Sequence, residues 1–201
     1  LPLLAVAADN PHDAQPGPAR LLRQADISAD HIVFTYEGDL WLVDDEGGIP
    51  RRLTTGHGTE SGAKFSPDGK FLYFSSDRGG SPQIYRAEID GGRVGRVTFD
   101  SSYNVSPRIS PDGSRLAFLT RRNDGYYVAV KDLESGAETL LSAGGREESP
   151  SFAPNGRWVM YATRATGRDM LMATSIDGRI TQRISSDSGD IREPTWGPFE
   201  P

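Results

Sequence analysis

Apolar residues in this chain come in runs of about four, set between turns rich in Gly, Pro, Asp and Ser, and the runs recur at one period. A first run ends on an aromatic at Phe34, Phe74, Phe118 and Tyr161. A second follows as Leu40–Val43, Ile84–Ala87, Tyr127–Val130 and Met170–Ala173. A turn comes next, at Glu46–Gly48, Asp90–Gly92, Glu134–Gly136 and Asp177–Gly178. A short last run closes each unit, at Arg52–Thr54, Arg96–Thr98, Leu140–Ser142 and Arg183–Ser185. Ahead of the first run stands a turn motif, FSPDGK at Phe65–Lys70, ISPDGS at Ile109–Ser114 and FAPNGR at Phe152–Arg157. Its prolines, Pro67, Pro111 and Pro154, are 44 and 43 residues apart. A degenerate copy, ISADH, sits at Ile27–His31, and a half copy, TWGP, at Thr195–Pro198.

Each feature has a physical reading. Pro-Asp-Gly presets a tight turn and supplies a glycine for the positive φ that follows, so it joins antiparallel strands. Runs such as Phe71–Phe74 and Trp158–Tyr161 are apolar on both faces, as in a sheet packed between two other sheets. No stretch sustains the i, i+3, i+4 apolar pattern of a helix. Four strands per unit of about 44 residues predict an all-β chain of four-stranded antiparallel β-propeller blades. The blades are expected at about 20–54, 60–98, 103–142 and 147–185, with a partial unit at 190–199. Four blades plus an orphan strand imply a partial propeller or open arc.

Composition narrows the function classes. Gly and Pro make up 37 of 201 residues, which suits a turn-rich fold. A net charge of −6 and a pI near 5.1 argue against a nucleic-acid backbone as partner. The absence of cysteine excludes disulfides, thiolate metal sites and a Cys nucleophile. No run approaches the ~20 apolar residues of a membrane-spanning helix. Residues 1–19 read as a signal-peptide remnant and a disordered segment. Ala5-Val6-Ala7 has the small-x-small form of a cleavage site, and Asp9–Ala19 is polar and Pro-rich.

Catalytic chemistry is hard to assemble from these residues. His12, His31 and His57 have no spacing that would converge on a metal or a nucleophile, and only His57 beside Glu60 forms a candidate pair. No serine sits in a GxSxG elbow. Asp68, Asp112 and Asn155 read as turn residues, and Trp41, Tyr85 and Trp158 as core. No cofactor, metal or catalytic residue is expected.

The repeats resemble those of the TolB-like, WD40-like propeller family. The resemblance rests on SPQIYR (Ser81–Arg86), RVTFDSSYNVSPRISPDG (Arg96–Gly113), ESPSFAPNGR (Glu148–Arg157) and REPTWGPF (Arg192–Phe199). Arg20–Gly48 is more similar to the first blade of tricorn-like peptidase propellers. The TolB resemblance implies a non-catalytic, exported, periplasmic module that binds a protein, such as a Pal-like lipoprotein of the Tol–Pal system or another envelope protein. It implies a binding rim in the connections that lead into each innermost strand, with Tyr103, Asn104, Arg146, Glu147, Glu148, Arg192 and Glu193 as partner-binding residues. The other resemblance implies a substrate-gating propeller of a tricorn-like or prolyl-oligopeptidase-like serine peptidase, without its catalytic domain. Strands apolar on both faces leave an exposed apolar sheet at each end of an open arc, so the chain is also expected to self-associate.

Overall fold

A computed structural model describes residues 22–123, 125–164, 169–185, 191 and 193–197. Four antiparallel sheets of four strands follow one another along the chain, and there is no helix among the described residues. The first blade comprises β1 (Arg23–Ile27), β2 (His31–Tyr36), β3 (Asp39–Asp44) and β4 (Arg51–Arg52). The second comprises β5 (Glu60–Phe65), β6 (Phe71–Ser76), β7 (Gln83–Glu88) and β8 (Gly95–Arg96). The third comprises β9 (Asn104–Ile109), β10 (Arg115–Arg122), β11 (Gly125–Asp132) and β12 (Glu138–Leu140). The fourth comprises β13 (Glu148–Phe152), β14 (Trp158–Thr163), β15 (Met170–Ser175) and β16 (Thr181–Arg183). Each blade packs on the next, and β1, β5, β9 and β13 lie side by side along the inner edge. This is a partial, unclosed propeller.

The two apolar faces of each sheet are explained by the seams. Leu72 and Phe74 of β6 face the first blade, where they meet Val33, Leu40 and Leu42. Tyr73, between them, turns to the third blade and meets Leu116 and Phe118. Ala117 and Leu119 of β10 turn the other way, onto Phe152, Val159 and Tyr161 of the fourth. Burying each Leu, Phe or Val contributes roughly 1.5–3 kcal/mol, so the seams hold the arc together.

Two local devices repeat with the blades. The turn aspartates cap their own hairpins: Asp68 Oδ1 accepts from the Ser66 hydroxyl at 2.5 Å and the Lys70 N–H at 3.1 Å. Asp112 does the same with Ser110 and Ser114, and Asn155 accepts from the Arg157 N–H. Gly69, Gly113 and Gly156 take φ of 69°, 75° and 66°, as the turn requires. The second device is a bulge in every inner strand, where two residues face one on the neighbouring strand. At its centre Gln24, Gly62, Ser106 and Ser149 all have positive φ.

The outermost strands end about two residues earlier than the apolar pattern predicts. The residues beyond them, Thr54, Thr98, Ser142 and Ser185, use their hydroxyl oxygens to accept from the backbone N–H of Leu40, Ile84, Val128 and Leu171, at 2.9–3.0 Å. A side-chain oxygen thus takes the place of a main-chain acceptor there, while the carbonyls of Leu40, Ile84, Val128 and Leu171 still accept backbone N–H groups from Leu53, Val97, Leu141 and Ile184.

Candidate protein-binding cleft at the loop rim

Alternating strands sort the connections onto two ends of the arc. The SPDG-type turns lie at one end. The hairpins between second and third strands, and the connections from one blade to the next, lie at the other. At this second end, a cleft of about 380 Å³ opens between the third and fourth blades. Its walls are Tyr103, Val105, Leu119, Tyr126, Arg146, Glu147, Glu148, Arg164 and Asp169. Larger hollows, of about 460 and 510 Å³, lie at the opposite end, where much of their lining comes from the turn motifs.

The cleft brings together four of the seven expected binding residues. Tyr103 precedes β9 and meets Tyr126 of β11 edge to face, with ring centroids 5.7 Å apart. Partial burial, with Tyr126 beside it, raises the Tyr103 phenol above its ordinary pKa. The connection into the fourth blade is pinned to β11, because Gly145 and Tyr126 exchange both backbone hydrogen bonds at 3.1 Å. Gly144 must be glycine. It has φ of 90°, and a Cβ there would lie 2.3 Å from the Tyr127 ring. This anchoring leaves Arg146 and Glu148 exposed on the rim and turns Glu147, between them, inward to 6% exposure. Across the cleft Arg164 and Asp169 pair at 2.6 Å.

Two of the other three expected residues, Asn104 and Glu193, lie outside this cleft. Asn104 does not reach the rim surface. It is buried at the start of β9, where its amide N–H donates to Gln83 Oε1 at 2.8 Å, beside the Thr98 hydroxyl that donates to the same oxygen. Its role in the structure is to join the second and third blades. Glu193 is exposed with φ of 49°. Arg192 lies outside the described residues. Sequence reasoning missed Tyr126, Arg164 and Asp169, which lie on the hairpins sharing this end. Strand alternation was the signal that would have found them, since it brings both kinds of connection to one face.

Glu60 is the counterpart of Asn104 and Glu147 at the first seam. Its carboxylate accepts from Thr54, Ser76 and Arg78 at 3.0, 3.0 and 2.7 Å, with no histidine in this set. His31 lies 3.7 Å from the exposed Asp44, and His12 is outside the described residues. Among the described residues no three His, Asp or Glu gather as a metal site. Asp68, Asp112 and Asn155 are engaged in their turns, as expected of turn residues.

A four-stranded blade repeated around an inner edge defines a β-propeller protein. Residues 31–200 match the TolB beta-propeller domain, and the chain belongs to that family. It is 47% identical over 161 residues to the Tol-Pal system protein TolB of Bordetella pertussis, covering 80% of this chain and 37% of that protein. It therefore spans a little over a third of the length of that curated relative. The crystal structure of TolB from Acinetobacter baumannii superposes with a TM-score of 0.78 at 37% identity, over 86% of this chain and 45% of that one. A puromycin-hydrolyzing peptidase from Mycobacterium tuberculosis superposes at 0.68 with 20% identity, over 81% of this chain and 29% of the peptidase, a likeness of fold alone.

Proposed function

We propose that this arc is an exported, periplasmic protein-binding module of the Tol–Pal type, and that it docks an envelope protein such as a Pal-like lipoprotein through the rim around the cleft. The observation that carries the reading is the convergence of Tyr103, Arg146 and Glu148 on one cleft from two different blade connections. Tyr and Arg are the residues that most often anchor protein interfaces. Mixed charge on the rim favours orientation and association rate over raw affinity. The reading also counts Arg192 and Glu193, which follow the fourth blade in the sequence, among the partner-binding residues. The module works by binding and performs no catalysis, without cofactor, metal or nucleic acid. The alternative, a gating propeller of a serine peptidase, has only the shared fold in its favour.

The test is a titration with the soluble domain of a Pal-type lipoprotein, alongside peptide and ester hydrolysis assays. Tyr103→Ala is expected to weaken binding about tenfold, about 1.4 kcal/mol. Glu148→Lys should change mainly the association rate and its salt dependence. Affinity untouched by rim substitutions, or turnover abolished by one point substitution, overturns the proposal.

A further inference from the structure

The blade repeat supplies its own comparison for the floor of the cleft. At the first seam the buried acid is Glu60, 1% exposed, and the chain provides a guanidinium for it. Arg78 donates to Glu60 Oε1 at 2.7 Å and to the Ser76 hydroxyl at 3.2 Å, with its guanidinium 5.3 Å from the Tyr85 ring centroid. At the third seam the same position holds Glu147, flanked by Ser142 and Thr163 as Glu60 is by Thr54 and Ser76.

Among the described residues no guanidinium completes this second set. Counted along the sequence, Ala165 stands as far from Glu147 as Arg78 does from Glu60, and Arg164, beside it in sequence, is engaged by Asp169. Glu147 is 6% exposed, lines the cleft and has its Oε2 buried without a hydrogen-bond partner. A buried carboxyl oxygen left unpaired is costly, so such a group is a receptor for a donor from outside. The cleft has room for one, and Tyr103 and Tyr126 present aromatic surface of the kind a guanidinium stacks on.

We infer that the cleft is a pocket for an arginine side chain of the docked protein, whose guanidinium pairs with Glu147 Oε2 as Arg78 pairs with Glu60. An arginine fits better than a lysine because its planar fork reaches a carboxylate and a hydroxyl together, and Thr163 stands where Ser76 does. Burial holds the Glu147 carboxyl above the ordinary range, and the hydroxyls of Thr163 and Ser142 and the Gly144 N–H draw it partly back. An incoming cation would lower it. The inference rests on the rim being a docking surface and names the chemistry that surface selects.

The probe is the capped tripeptide acetyl-Gly-Arg-Gly-amide, with its citrulline counterpart as the uncharged isostere. Carbon-13 carboxyl spectra of the wild-type chain are expected to show the Glu147 signal moving with the arginine peptide and not with the citrulline peptide. Glu147→Gln, checked for native folding by circular dichroism, is expected to weaken arginine-peptide binding at least tenfold. A Glu147 signal indifferent to the arginine peptide, or equal binding by Glu147→Gln, overturns the pocket. The two readings separate cleanly. If the lipoprotein fails to bind while the arginine peptide shows this pattern, the pocket stands and the named partner falls. If Glu147→Gln binds the lipoprotein and the peptide as the wild type does, the pocket falls and rim docking stands.

Discussion

At the scale of single residues, the turns set the spacing of the blades. A Cβ on Gly113 would lie 3.8 Å from Pro67 Cδ, and one on Gly156 3.8 Å from Pro111 Cδ, both ordinary contacts. Space is therefore available, and the demand for glycine is conformational. Gly69→Val, Gly113→Val and Gly156→Val place a β-branched residue at positive φ, and each is expected to cost about 1–3 kcal/mol in urea unfolding. Wild-type stability in all three would mean the turns do not carry this strain. The turn acids predict a pH effect as well. The Ser110 hydroxyl and then the Ser114 N–H hold Asp112 at about 2, below its ordinary 3.8. A folded value below the unfolded one stabilises above the unfolded pKa and loses that contribution as pH falls through the folded one. Asp112→Asn keeps the acceptor, as Asn155 shows, and removes the charge. It is expected to cost under about 1 kcal/mol at pH 7, because the group is largely exposed, and progressively less as pH falls through about 2. Chemical denaturation across that range checks the sign.

At the scale of the element, the hydroxyl that ends each outer strand ties strand to blade. Thr98 accepts from the Ile84 N–H and donates to Gln83, which in turn accepts from Asn104 of the next blade. Thr98→Val is therefore expected to cost about 1–3 kcal/mol, with Thr98→Ser close to wild type, because only the first leaves buried polar groups unpaired. Equal loss in both would assign the effect to the methyl group. Strand identity was legible in the sequence because apolar runs, Pro-Asp-Gly turns and the repeat all report the same unit. The ends of the outer strands were not, since Thr54 and Ser142 carry no mark distinguishing a hydroxyl staple from one more ladder residue. The inner-strand bulges were hidden for a similar reason: Gln24, Ser106 and Ser149 share a φ and not a residue type, and only Gly62 carries the expected glycine. The site was half legible. Tyr103, Arg146 and Glu148 follow from their place in the connections, whereas Asn104 and Glu147 look alike to them in a list of polar residues. Whether a polar side chain beside a strand start turns to water or into a seam depends on the neighbouring blade.

At the scale of the molecule, the open arc has edges and ends that behave differently. The edge strands β4 and β8 are two residues long and carry Arg51, Arg52 and Arg96, which makes them poor templates for strand pairing. The terminal blades carry exposed apolar side chains. Leu22 and Ile27 on the first blade are 49% and 66% exposed, and Ile180 and Ile184 on the fourth are 52% and 51% exposed. The expected orphan strand at Thr195-Trp196 forms no strand pairing among the described residues. Trp196 nevertheless packs on the fourth blade, its indole N–H donating to the Ser151 carbonyl at 3.1 Å. That contact covers part of the blade's inner strand and competes with any second chain that would stack there. Sedimentation equilibrium is therefore expected to show concentration-dependent self-association of the wild-type chain, weakly sensitive to salt because the contacting surface is apolar. Trp196→Ala is expected to strengthen it. A single 21.9 kDa species at every concentration, in both proteins, would show instead that the ends are not adhesive. Association abolished by moderate salt would place the contact on the charged rim.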